Sequence, residues 1–190
     1  PATTFPQPPV TTLPAAPIVR EKPHLQVDAA GDWGVFVPAL RRDAQGTSWA
    51  AGDPAGALIP LSRFLIARPG VSAGDINAAL SQGRHLLLTP GVYVLDAPIR
   101  VERADTVVLG LGLATLLPVA GNAALTVADV PGVSIAGVLI DAGPVESPVL
   151  MTVGPPDASG DHAANPTLLA DLFFRVGGVA VGKAETCLEI

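Results

Sequence analysis

A chain of 190 residues can fill one sizeable core, and 49 % hydrophobic residues with only 4 % aromatics make that core aliphatic, which favours β-branched strands over helix bundles. The net charge of −6 and the scatter of 11 Lys and Arg exclude nucleic acid as an expected partner, since a phosphate backbone is held by clustered cations. No run approaches the roughly 18 apolar residues of a membrane helix, and one cysteine, Cys187, forms neither an internal disulfide nor a cysteine metal site.

Residues 1–24 read as an extended, proline-rich arm, with prolines at 1, 6, 8, 9, 14, 17 and 23. Proline withholds an amide donor and fixes φ, so the arm is expected on the surface and outside any sheet interior. Its apolar Phe5, Leu13, Ile18 and Val19 suit docking against a partner surface. The chain starts at Pro1 rather than Met, so an upstream segment, most simply a secretory signal, is expected. Residues 25–71 read as an irregular β and loop segment with strand-like pieces at Leu25-Gln26-Val27, Val35-Phe36-Val37-Pro38 and Phe64-Leu65-Ile66-Ala67. Trp33 and Trp49 lie here. Each either folds its loop onto the body or stays exposed, where an indole can stack on a sugar ring.

Residues 72–190 read as a capping helix followed by the first coils of a parallel β-helix. Ser72-Ala73-Gly74-Asp75 is an N-cap with an acidic residue at the third helical position. Ile76, Ala79 and Leu80 follow at i, i+3 and i+4, and Gly83 ends the turn. A short helix near 72–82 is expected to cover the open end of a solenoid, whose end coil otherwise exposes interior and unpaired backbone.

The solenoid shows in two apolar tracks that advance together. Val107-Val108-Leu109-Gly110-Leu111 recurs 27 positions later as Ser134-Ile135-Ala136-Gly137-Val138, and a further 34 on as Leu168-Leu169-Ala170-Asp171-Leu172. Ala124-Leu125-Thr126-Val127 recurs as Leu150-Met151-Thr152-Val153 and as Cys187-Leu188-Glu189-Ile190, at steps of 26 and 37. Two tracks in step predict two sheet faces with coil stacked on coil. The long final step is absorbed by one insertion, residues 154–166. Cys187 falls on the second track and is expected to pack as a small buried hydrophobe.

The run Ile76-Asn77-Ala78-Ala79-Leu80, then Gly83, Leu86-Leu87-Leu88-Thr89-Pro90-Gly91-Val92-Tyr93 and Thr106-Val107-Val108-Leu109-Gly110-Leu111-Gly112, resembles the opening of pectate-lyase-like right-handed parallel β-helix proteins. More narrowly it is similar to the secreted bacterial and fungal proteins related to β-1,3-glucanases that carry paired β-helices. The similarity covers residues 61–190. It implies an all-β solenoid, extracellular, acting on a polysaccharide partner, most directly as a glycoside hydrolase of a neutral glucan-like polymer. The alternative is a non-catalytic carbohydrate-binding or structural, adhesin-like β-helix. The glucanase relatives carry their acid late, in a second β-helix, so the catalytic residues are expected largely outside this chain. Thr186-Cys187-Leu188-Glu189-Ile190 holds a core-strand position with nothing after it, so a C-terminal continuation or second chain is expected to complete the β-helix.

Glycoside cleavage needs two carboxylates at a cleft, one held protonated. The carboxylates on repeat positions are Asp141, Asp171 and Glu189. Asp141 is a catalytic candidate that also reads as a coil corner, where Asp supplies a turn. Asp161 and His162, in the one long insertion, are the other catalytic candidates, and Asp157 with Asp161 the weak metal candidates. No cofactor is expected; a bound Ca²⁺ would be the one ion to consider, and no ligand pattern indicates it. His24 and His85 have no acidic or cysteine neighbour at ligand spacing and read as structural. Gly110, Gly112 and Gly137 read as tight corners rather than a dinucleotide motif, because no third glycine or helix follows.

Overall fold

A computed structural model describes residues 13–190 other than 53 and 179. Phe5 and the prolines at 1, 6, 8 and 9 lie outside the described residues. The strands, in chain order, are β1 (Ala16–Val19), β2 (His24–Val27), β3 (Trp33–Pro38), β4 (Arg41–Ala44), β5 (Gly56–Pro60) and β6 (Phe64–Ala67). Then come α1 (Ala73–Ser81), β7 (His85–Leu88), β8 (Val92–Leu95), β9 (Ile99–Val101), β10 (Val107–Pro118) and β11 (Leu125–Val127). The last four are β12 (Ser134–Asp141), β13 (Ser147–Val153), β14 (Leu168–Arg175) and β15 (Ala184–Glu189).

From β6 onward every strand pair is parallel and the two repeat tracks become two sheets, ordered β14-β12-β10-β7-β6 with β8 also on β10, and β15-β13-β11-β9. The register is the one the repeats predict. Val107 pairs with Ser134 and Ser134 with Leu168, while Leu125 pairs with Met151 and Met151 with Leu188. The sequence spacing therefore measured the length of a coil.

The coil has three facets because β10 bends. Between Leu109 and Ala114 its register against β12 shifts, so four residues oppose the single Gly137. Gly112 and Leu113 adopt left-handed backbone in this bulge, as does Gly137. Gly110 and Gly137 stack so closely that a Cβ on either would overlap the other's carbonyl oxygen. Asp171 fills the equivalent corner one coil on, at φ 49°.

Each facet sends registered columns of side chains inward, and one on each shows the pattern. Leu86, Val108, Ile135 and Leu169 stack on the first facet. Tyr93, Leu116, Ile140 and Phe174 stack on the second, and Ile99, Leu125, Met151 and Leu188 on the third. The first three members of each of these columns are buried and the fourth half-buried. Full burial of one such side chain contributes about 1.5–3 kcal/mol, so the columns dominate the stability of the coils. Tyr93 brings a hydroxyl into this core, and it is satisfied within 2.8 Å of the Ala67 and Thr89 carbonyls. α1 adds Ala73, Ile76 and Leu80 to the same cluster, its N-terminus capped by Ser72, whose hydroxyl accepts from the Asp75 amide.

The outer faces differ. β2, β3 and β5 form an antiparallel sheet that lies on the first facet and covers Phe64, Leu87, Leu109 and Ala136 of that facet with Val35. On the second facet Val92, Val94 and Phe173 are about half exposed. The third facet presents Arg100, Thr126, Thr152 and Glu189 in one registered row. Ala16–Val19 pairs with Arg41–Ala44 as a separate two-stranded ribbon.

Cys187 is exposed, contrary to the expectation that it packs inside. Successive side chains of a strand alternate, and Leu188 takes the inward place against the core. Cys187 therefore faces out, on a strand that is also an edge of its sheet.

Candidate functional site

Three neighbouring concavities, each sharing lining residues with the next, follow the coil corners from α1 to the insertion. The first, about 440 Å³, lies beside α1 and is lined by Asn77, Ser81, Arg100, Glu102 and Arg103. Asn77 ties the helix to this wall, its amide donating to the Pro98 carbonyl and its Oδ1 accepting from the Arg100 amide. The second, about 230 Å³, shares Glu102 and continues past Thr126 and Thr152 to Gly154. The third, about 440 Å³, shares Ala128 and Gly154, has Asp129, Gly160 and His162 on one wall, and is otherwise mainly apolar, with Val130, Val153, Leu169 and Ile190.

Asp129 organises the third concavity. It follows β11 at a corner where the Ala128 amide donates to the Val101 carbonyl of the preceding coil. One carboxylate oxygen accepts from the backbone amides of Ser159 and Gly160, both at 3.0 Å, and the other lies 2.6 Å from His162 Nε2. The insertion is thereby folded down onto coil corners 30 residues away. A Cβ at Gly160 would meet both the His162 ring and Asp129, so a larger residue there would push the pair apart. The two amides, and after them the His162 hydrogen bond, hold the Asp129 carboxyl below its ordinary pKa. It is an anion and an acceptor. His162 Nε2 is therefore the donor of that bond.

Of the candidates Asp161 and His162, only His162 joins the pair with Asp129. Asp161 accepts from the Ala163 amide at 3.0 Å and turns its own loop. Asp157 is exposed at the tip of the insertion. Asp141 receives Arg175 through two bonds, Nε at 2.9 Å and Nη2 at 2.5 Å, which clamp adjacent coils where Asp141 and Arg175 pair in register and raise the Arg175 pKa. Among the described residues no group of three or more His, Cys, Asp or Glu is placed to hold a metal. Asp129 was missed because it stands alone in sequence. The 26-residue step that maps Val127 onto Val153 also maps Asp129 onto Pro155, the second residue of the insertion, and this was the available signal.

His85 serves the fold. Its Nδ1 accepts the Val107 amide at 3.1 Å, its ring lies 5.0 Å from Phe64, and burial lowers its pKa. Trp33 and Trp49 remain 57 % and 63 % exposed.

The description of the LAM55 pectate lyase-like domain matches residues 64–190, the part that forms the coils. The chain is 56 % identical over all 190 residues to an exo-beta-1,3-glucanase of Streptomyces sp. (strain SirexAA-E / ActE), and spans 31 % of that protein's length. It is equally similar in structure to sacteLam55A from Streptomyces sp. SirexAA-E, with a TM-score of 0.93 and 56 % identity over 99 % of this chain and 34 % of that one. A variant of sacteLam55A in complex with glucose gives 0.92 over the same shares. On its parallel coils and on the match across two thirds of its length, the chain belongs to the LAM55 pectate lyase-like domain family.

Proposed function

We propose that this chain is the first β-helix of a secreted β-1,3-glucan-hydrolysing protein, and that the trough made by the three adjoining concavities holds the polysaccharide. The observation that carries the substrate class is the 56 % identity to an exo-beta-1,3-glucanase, sustained over the whole chain. The trough supports the location. Its three concavities adjoin through shared residues, and they offer Asn77, Ser81, Arg100, Thr126, Thr152 and His162 as hydrogen-bonding groups beside apolar wall, a mixture suited to the hydroxyls and C–H faces of a neutral sugar polymer. Secretion follows from the substrate, because a polymeric glucan does not cross a membrane.

On this reading Asp129 is not the proton donor. A general acid needs a raised pKa, whereas Asp129, the carboxylate of the third concavity, is held as an anion. Asp129 and His162 then bind and orient hydroxyls at one end of the trough. α1 closes the first end of the solenoid, supported by the burial of its Ile76 and Leu80. β14 and β15, each an edge of its parallel sheet, are where further coils or a second chain would pair.

The test uses the intact protein and two polymers, a β-1,3-glucan and a β-1,4-glucan. Soluble sugar should be released from the first alone. Thr126→Phe and Thr152→Phe fill the trough from outside the core, and each should weaken β-1,3-glucan binding about tenfold or more without moving the melting temperature. Binding without product would leave a non-catalytic carbohydrate-binding solenoid, and normal binding by both variants would remove the trough from the site.

A further inference from the structure

We propose that the concavity beneath Trp49 is a second, non-catalytic site for a neutral glucose unit of the polymer, separate from the trough. The proposal rests on the glucan reading above. Trp49 sits on the short 3-10 turn Ser48–Ala51 with its side chain largely in solvent, an unfavourable place for an indole that does nothing there. It overhangs a hollow of about 370 Å³, within the roughly 300–1,000 Å³ range of ligand pockets. The apolar lining is Pro38, Pro54 and Ala170, and the polar lining is Glu21, Lys22, His24 and Ser48.

A β-glucose ring has two apolar C–H faces and a girdle of hydroxyls. An indole plane accepts the face and a mixed rim accepts the girdle. The walls are held in place beforehand. Glu21 accepts from Arg41 Nη2 and from the Ser48 amide, both at 3.0 Å, and from the Ser48 hydroxyl, which ties the Trp49 turn to the segment before β2. The Ser48 hydroxyl, first among these donors, keeps the Glu21 carboxyl below its ordinary pKa, so the rim carries an acceptor and no proton donor for chemistry.

The charges at the rim are also paired. Glu21 faces Arg41, and Lys22 faces Asp171. No net charge is left to select an ionic ligand, yet Lys22 keeps two N–H donors beyond its bond to Asp171. A neutral, hydroxyl-rich ring is the ligand class that this combination recognises. Ala170 lies in β14 on the first facet, so the hollow opens on a different side of the coil from the row Arg100, Thr126, Thr152.

Trp49→Ala and Trp49→Phe in the intact protein test this with two probes, insoluble β-1,3-glucan particles and a short soluble β-1,3-linked glucose trimer. Trp49→Ala should reduce retention on the particles about tenfold and slow their hydrolysis, with kcat/KM on the trimer within about twofold of wild type. Trp49→Phe should restore most of the retention. Unchanged retention of Trp49→Ala by a protein that still cleaves glucan overturns this site alone. An equal loss on trimer and particles places Trp49 in the catalytic site and overturns it too. A wild type that ignores β-1,3-glucan in both forms overturns the parent reading and this one with it.

Discussion

Removing Arg20 tests whether one guanidinium fastens the segment before β2 to the solenoid. Its Nη1 donates to Asn165 Oδ1 at 2.7 Å and to the Pro166 carbonyl at 2.8 Å, and Nη2 donates to the Gly132 carbonyl at 3.0 Å. Asn165 extends the link, donating to Asp105 at 2.8 Å. Three successive coil corners are thus joined at one cation. Bonds to a charged group contribute about 1.5–3 kcal/mol each, so the gross gain is roughly 4–9 kcal/mol. Burial lowers the guanidinium pKa, with Asp105 opposing, and the desolvation behind that shift takes back several kcal/mol. About 3 kcal/mol should remain, roughly a hundredfold in the equilibrium for lifting the segment away. Native-state hydrogen exchange reads this directly. In Arg20→Ala the β1 and β4 amides should exchange about a hundredfold faster, while those of β10 and β12 keep their rates. Lys22→Ala is the control. Its ion pair with Asp171 is half exposed on both sides, so about 0–1 kcal/mol and less than about fivefold are expected. If Arg20→Ala accelerates exchange no more than Lys22→Ala does, the guanidinium is not what holds the segment.

Leu125 is fully buried between Ile99 and Met151, so Leu125→Ala should cost about 2–5 kcal/mol by chemical denaturation. Gly137→Ala meets both a φ of 71° and the Gly110 carbonyl, and should cost more than Gly31→Ala, whose left-handed backbone has open space around it. Burial, with Arg63 acting the same way, depresses the His85 pKa, so the unfolded chain binds this proton more readily. The His85 contribution is complete above about pH 6.5 and is lost as pH falls through the folded value; an NMR midpoint at or above about 6.5 would refute it. Asp129 is also depressed, so its hold on the insertion is complete above about pH 3.9 and fades as pH falls through its folded value. Asp129→Asn should open residues 154–166 to proteolysis at neutral pH, and an unchanged digestion rate would show that the two amides and His162 hold the loop without the charge.

The coils were legible because a solenoid repeats one packing problem. Each inward column needs an aliphatic residue at one position per turn, so Val108, Ile135 and Leu169 carry the same instruction and the spacing between them is the coil length. The helix was legible for a local reason, since Ser72, Asp75 and the Ile76, Ala79, Leu80 stripe all act within three turns. The antiparallel sheet was not. Its strands read as short apolar pieces, but their meaning lies in Val35 meeting Leu87 and Leu109 across the outer face of another sheet. Outward faces carry no periodic demand of their own, and an apolar outward residue such as Leu109 cannot be told in sequence from an inward one. Cys187 failed for the same reason: its track was right and its side of the strand was not.

The site was legible only where it coincided with a break in the period. The insertion at 154–166 drew notice by lengthening one step, and His162 was found through it. Its partner lies 33 residues earlier, at a corner whose sequence looks like any other turn. Asp161 is the nearer carboxylate in sequence, yet a side chain that closes its own turn by bonding the Ala163 amide is not free to face its neighbour. The carboxylate that reaches His162 comes from the adjacent coil, because stacking brings residues one turn apart closer than residues one position apart in a loop. In a protein of this kind partners should therefore be sought at the coil period first. Counting on from Val127 opposite Val153, the 26-residue step places Asp129 one period before Pro155, so the residue that faces an insertion lies one period before its first residues.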